Sequence, residues 1–169
     1  MTIKRRHIIQ GQYETAQGDA DCCMTTVLGS CISVCLHDPV SGAGGMNHFL
    51  LAQGRSGATH SASYGVNAME LLINGLLKLG ANRCRLRAHV FGGARMVAGL
   101  GNVGQRNAEF AISFLRAEGM RVMTCSVGGT QARRINFWPA TGRATEELIQ
   151  QNIVETAPVA APSGDVELF

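Results

Sequence analysis

The chain has no long apolar run. No stretch of about 18 apolar residues occurs in its 169, and this excludes a membrane-spanning helix. The amino terminus, Met-Thr-Ile-Lys-Arg-Arg-His-Ile-Ile, is basic, but no apolar segment of signal-peptide length follows, so a cytoplasmic protein is expected. Strong charge of either sign is also lacking: the net formal charge is +3, and charged residues make up 16%. So weak and scattered a balance argues against nucleic acid. Arg83, Arg85 and Arg87 alternate with Cys84, Leu86 and Ala88, a pattern expected for the wet face of a strand. Paired Cys-x-x-Cys spacing is absent too. The cysteines stand at 22, 23, 31, 35, 84 and 125, which excludes a zinc knuckle and, in a reducing compartment, leaves thiols, most of them small core residues.

What is present suits one globular domain. A length of 169 residues with 46% hydrophobic content can bury a sizeable core. Short strands are expected at 3–10, 13–16 and 22–28, alternation marks 31–37 as a strand, and 46–51 reads as its return. Between them, Asp38-Pro39 and the run 41–45 form a strong turn signal. Residues 52–60 read as a polar, mobile loop. A helix is expected over 61–79, where Val66, Met69, Leu72, Ile73, Leu76 and Leu77 recur at helical spacing, and a second over 104–118 with Phe110, Ala111, Phe114 and Leu115 as its stripe. Strands at 84–91 and 120–127 end at Gly92-Gly93 and Gly128-Gly129, and a last hairpin spans 133–145. The expected architecture is α/β (α+β), a layered sandwich of mixed sheets under two helices, with residues 1–155 as one domain and 156–169 as a flexible tail.

The chemistry concentrates in residues 25–51. A hairpin centred near 40–41 pairs position 33 with 48 and 31 with 50, making Cys31 and His48 diagonal neighbours on one face, about 7 Å or less between β-carbons. A thiol beside an imidazole can become a nucleophile, and a third group must hold the ring in the right tautomer. Thr25, Thr26 and Ser33 are candidates for that role. Gly29 and Ser30 can bring backbone N–H groups to a developing oxyanion. The pair is expected at the edge of the sheet. The literal G-x-G-x-x-G at 99–104 follows no convincing buried strand and reads as a helix-entry turn rather than a dinucleotide site.

Gly29-Ser30-Cys31, the strand to Asp38, Gly44-Gly45-Met46-Asn47-His48, Phe91-Gly92-Gly93-Ala94 with Met96, Gly104-Gln105-Arg106-Asn107 and Gly128-Gly129 before Arg-Arg together resemble the bacterial chemoreceptor glutamine deamidases, the CheD family. The resemblance implies a cysteine-hydrolase-like core and a protein-glutamine glutaminase, converting glutamine side chains of methyl-accepting chemotaxis receptors to glutamate through a thioester. It implies Cys31 as nucleophile, His48 as base and Thr25 as the residue orienting the ring. It implies no cofactor or metal, the cytoplasmic region of the receptors as partner, and no direct membrane insertion. It also implies an alternative, a non-enzymatic adaptor that binds a CheC-type phosphatase.

Overall fold

The computed structural model describes residues 2–51, 57–96 and 101–150. The expected tail at 156–169 and most of the expected loop at 52–60 lie outside them, as does part of the 99–104 glycine run. Eleven elements are numbered here in chain order: β1 (Lys4–His7), β2 (Tyr13–Gln17), β3 (Cys22–Leu28), β4 (Ile32–His37), β5 (Ala43–Asn47), α1 (Gly57–Lys78), β6 (Arg87–Gly92), α2 (Val103–Ala117), β7 (Arg121–Val127), β8 (Arg133–Trp138) and β9 (Arg143–Leu148).

The strands form two mixed sheets, ordered β1-β3-β8-β9 and β2-β5-β4-β6-β7. Both helices cover the outer face of the five-stranded sheet, giving three layers: helices, five strands, four strands. Alternation along β4 assigns its side chains to two cores. Ile32, Val34 and Leu36 face the helices and pack with Met69, Leu72, Ile73 and Leu76 of α1 and Ala108, Ala111 and Leu115 of α2. Cys31 and Cys35 face the other way, against Met24 and Leu28 of β3 and Ile135 and Phe137 of β8. Residues such as Cys22, Cys23 and Cys35 are therefore core fillers, and burial raises all three thiol pKa values.

The sandwich with two helices is as expected, and so is the hairpin register: Cys35 pairs with Met46, His37 with Gly44, and an isolated bridge joins Ile32 to Phe49. Four local expectations differ. The return strand, expected at 46–51, is β5 at Ala43–Asn47 and starts inside the 41–45 run read as turn, because Gly44 and Gly45 pair with His37 and Leu36 of β4. The helix begins at Gly57, inside the stretch read as loop. Within its apolar stripe Val66 and Leu77 are exposed, while Met69, Leu72, Ile73 and Leu76 are fully buried against the sheet. Arg83–Arg85 is a short 3-10 turn rather than strand, capped by the Asn82 side chain, and its arginines pair with carboxylates on three distant segments. Arg83 binds Glu70 at 3.0 Å and Glu118 at 2.6 Å, and Arg85 binds Asp38 at 2.8 Å.

Asp38 governs the turn between β4 and β5. Its side chain is fully buried and accepts from the N–H groups of Val40 at 2.9 Å, Ser41 at 3.4 Å and Asn82 at 2.9 Å, as well as from Arg85. The Arg85 guanidinium, helped by these N–H groups, holds its carboxyl well below the usual range. Such a carboxylate contributes stability that is present above its ordinary pKa of 3.8 and is lost as pH falls beneath that value. Asp38→Ala is expected to lower the unfolding free energy at pH 7 by about 1–3 kcal/mol, since several buried donors lose their acceptor. Urea unfolding at a series of pH values should show the gap from wild type narrowing below pH 3.8. An unchanged midpoint at pH 7 would refute this role.

Candidate active site

The site forms where two strand ends meet at one end of the β4–β5 hairpin. Cys31 directly precedes β4 and His48 directly follows β5. These are inner strands of the five-stranded sheet, so the pair sits at a strand end, not at the lateral edge that was expected. The regular β4–β5 ladder stops at Cys35 and Met46. The buried side chain of Asn47 then takes the Val34 N–H at 2.8 Å, standing in for a backbone carbonyl. The observed register places Ser33 opposite His48 and Cys31 diagonal to it on the same face. Both Cys31 and His48 are 8% exposed, within reach of solvent but largely dry.

The tautomer of His48 follows from its neighbours. Thr26 Oγ1 lies 2.8 Å from His48 Nδ1. The same hydroxyl donates its single proton to the Ile8 carbonyl at 2.6 Å. Its oxygen can therefore only accept from the ring, and the Ile8 carbonyl, 3.3 Å from Nδ1, is an acceptor as well. Nδ1 must carry the hydrogen, which leaves the lone pair on Nε2. Burial holds the imidazole below its ordinary value of 6.5, partly offset by the Ile8 carbonyl, so the ring is neutral and basic near pH 7.

Of the three threonine and serine candidates, the hydroxyl that meets the ring is that of Thr26. Thr25, to which the family resemblance pointed, lies on the other side of β3, one residue along a strand whose side chains alternate. It contributes its backbone carbonyl to the Ile8 N–H at 2.9 Å. The two threonines are adjacent, both buried and identical in type, so only strand orientation separates them.

The β1–β2 loop closes the site. His48 is held at both backbone groups, its carbonyl by the Gly11 N–H at 2.8 Å and its N–H by the Gln12 carbonyl at 3.0 Å. The loop also brings Gln10 to the nucleophile, with the Cys31 thiol donating to Gln10 Oε1 over a long 3.7 Å. From α1, Tyr64 approaches closely enough that Cys31 adds to burial in raising the phenol pKa. No sequence signal marks Gln10 or Tyr64, because neither the weakly patterned amino-terminal loop nor the first turns of a helix show proximity to residue 31. Arg133, the first of the Arg-Arg pair, is buried and donates to the carbonyls of Ser126 and Gly128, while Arg134 is exposed.

The nucleophile turn is held by its carbonyls. The Ala94 N–H bonds the Gly29 carbonyl and the Gly93 N–H the Cys31 carbonyl, each at 2.9 Å. Gly92, with φ of +116°, carries the chain so close that a β-carbon there would collide with the Cys31 carbonyl oxygen.

A layered α/β/β sandwich that presents a thiol beside a tautomer-fixed neutral imidazole is equipped for the chemistry of a cysteine-dependent hydrolase. Comparison with known proteins is specific. A family model described as CheD chemotactic sensory transduction matches residues 50–147. A relative from Agrobacterium fabrum, named a probable chemoreceptor glutamine deamidase CheD, is 51% identical over 98% of this chain and 97% of its own. Relatives of the same name from Rhizobium rhizogenes and a Caulobacter species are 50% and 49% identical, covering 95% and 96% of this chain and 92% of each of theirs. The chain belongs to the CheD family. A solved Neisseria meningitidis protein, NMB0706 of the DUF152 family, aligns over 76% of this chain and 64% of its own, with a TM-score of 0.46 and 11% identity.

Thr26→Val, which keeps the shape and removes the hydroxyl, should slow alkylation of Cys31 by iodoacetamide at pH 7 about fivefold, the equivalent of one hydrogen bond of ~1 kcal/mol. Thr25→Val should leave it within about twofold, inside the scatter of a substitution that touches no partner of the ring. Mass spectrometry of the Cys31 peptide checks both, and equal effects would remove the distinction drawn between the two threonines.

Proposed function

We propose that this protein is a protein-glutamine deamidase acting on the cytoplasmic region of chemotaxis receptors, with residues 1–155 as a single catalytic domain. The observation that carries this reading is the Thr26–His48 bond of 2.8 Å, which leaves Nε2 of a neutral imidazole free to serve the neighbouring thiol. Membership of a family whose curated relatives are named chemoreceptor glutamine deamidases supplies the substrate. Among the described residues no helix is long and apolar enough to cross a membrane, and the site would meet receptor helices from the aqueous side.

In the proposed reaction the substrate carboxamide enters beside Cys31, where the exposed Gln10 side chain now stands and from which it can swing aside. His48 Nε2 takes the thiol proton as Sγ attacks the carboxamide carbon, and the carbonyl oxygen becomes an oxyanion facing the backbone N–H groups of residues 30–31. The protonated imidazole gives its proton to the departing nitrogen, the C–N bond breaks, and ammonia leaves a thioester on Cys31. Water, deprotonated by the same Nε2, attacks the thioester. The C–S bond breaks, the proton returns to Sγ, and the product is glutamate.

An adaptor that binds a CheC-type phosphatase would need none of this. The Nδ1 hydrogen bond to Thr26, which leaves the Nε2 lone pair for the thiol, favours the deamidase over that reading. The two roles separate cleanly, since binding to a phosphatase should survive Cys31→Ala while deamidation should not.

Receptor co-expressed with wild type should gain about one dalton per converted glutamine, the replacement of –NH2 by –OH, and should gain nothing with Cys31→Ala or His48→Ala. Unshifted receptor with folded wild type would overturn the reading. The pH dependence has a definite sign. Because burial depresses the imidazole pKa, the base form persists below pH 6.5, and the acid limb of kcat/KM should have its midpoint beneath that value. A limb centred above 6.5 would contradict a desolvated base.

A further inference from the structure

We infer that Asn107 is a positioning residue for the deamidation proposed above, its amide aiming the Cys31 N–H at the oxyanion by gripping the Ser30 carbonyl. Asn107 lies on the buried face of α2, 1% exposed, among Gly104, Ala108 and Ala111. Its Nδ2 donates to the Ser30 carbonyl at 2.9 Å, and its Oδ1 accepts from the Leu51 N–H at 3.0 Å. The partners leave no ambiguity in the amide, since a carbonyl requires the NH2 group and an N–H requires the oxygen.

The consequence lies in the peptide plane. Among the described residues there are no cis peptide bonds, and in a trans peptide the carbonyl and the following N–H point in opposite directions. Drawing the Ser30 carbonyl toward α2 therefore turns the Cys31 N–H away from α2. The same logic applies on either side. The Ala94 N–H takes the Gly29 carbonyl and so orients the Ser30 N–H, while the Gly93 N–H takes the Cys31 carbonyl and the Ile32 N–H opposite it goes to the Phe49 carbonyl at 2.9 Å. The Ser30 carbonyl is held by a side chain, so its grip can be released by substitution. Gly104 makes the grip possible. A β-carbon there would strike the carbonyl oxygens of Gly93 and Ala94, so glycine lets the start of α2 reach the nucleophile turn. Through Leu51, three residues after His48, the same amide also ties the strand of the base to the turn of the nucleophile.

The role makes its own kinetic signature. A misaimed oxyanion donor lowers kcat and leaves substrate binding nearly untouched, and it does not affect iodoacetamide, whose displacement on a saturated carbon develops no oxyanion. Asn107→Leu removes both bonds while keeping the branch point and the number of side-chain heavy atoms. It should lower kcat for receptor deamidation about 10–100-fold with KM within about threefold, below the full loss of a donor because the N–H is displaced rather than deleted. The rate and pH midpoint of Cys31 alkylation should stay at the wild-type values. Asn107→Asp, which keeps the Leu51 bond and sets an oxygen against the Ser30 carbonyl, should show the same kcat loss and supplies the reading if the leucine variant unfolds.

A kcat within threefold of wild type in folded variants overturns the assignment. So does a parallel loss of kcat and alkylation, which would mark a merely structural residue. Wild type that releases no ammonia from receptor sinks the deamidase reading and this one with it. Active wild type with an indifferent Asn107 sinks only this one.

Discussion

The site depends on one hydrogen bond that crosses between the two sheets. Thr26 belongs to β3 in the four-stranded sheet, and His48 directly follows β5 of the five-stranded sheet. Their bond is directional because the Thr26 proton is already committed to the Ile8 carbonyl. A shift of either sheet by one residue would put the hydroxyl on the wrong face and free the ring to adopt the other tautomer. The inner core, with Met24, Cys35, Met46, Ile135 and Phe137 between the sheets, therefore does more than bury apolar area. It sets the distance across which a single hydroxyl must reach a single nitrogen, and close packing keeps that distance from varying.

Around that bond the backbone groups are held by hydrogen bonds. His48 is held at its N–H and its carbonyl, and the carbonyls of residues 29–31 are each engaged, two by backbone amides and one by Asn107. Such commitment suits catalysis by preorganisation, since donors already in place need not reorganise as charge develops. It also explains the two glycines at the contacts. Gly92 and Gly104 stand where other chain segments come so near that a methyl group would not fit. The opposite end of the hairpin is closed by a different device, the buried Asp38 carboxylate, which keeps the turn from opening. Between the two ends, Asn47 replaces a ladder bond with its side chain, letting the strands depart from regular pairing just before the histidine.

Much of this was legible in the residues. Alternation in 31–37 and a hairpin centre near 40–41 determined which side chains share a face, and the register followed from them, because a period of two leaves only two choices. Helical periodicity located α2 and most of α1, although nothing in the polar segment before residue 61 announced that α1 starts at Gly57. The thiol and imidazole were visible as a pair for the same local reason. Asn107 left a fainter trace, a polar residue within the buried stripe of Ala108 and Ala111, where an amide is tolerated only when both its groups are satisfied. The arginines at 83 and 85 were misread as strand because alternation over three residues cannot be told from a turn whose side chains are claimed by distant carboxylates.

The sequence alone determined the local geometry: strand faces, the hairpin, the apolar stripes, and a cysteine and histidine on one side of one hairpin. Tertiary structure decided which threonine faces the ring, that Gln10 and Tyr64 stand near the thiol, and that an amide from α2 holds the nucleophile turn. The reason is range. Short-period patterns record what a residue does within its own strand or helix, whereas the choice between Thr25 and Thr26, or the reach of Asn107 to Ser30 across 77 positions, is settled only when two sheets and a helix pack and the backbone groups between them must each find a partner.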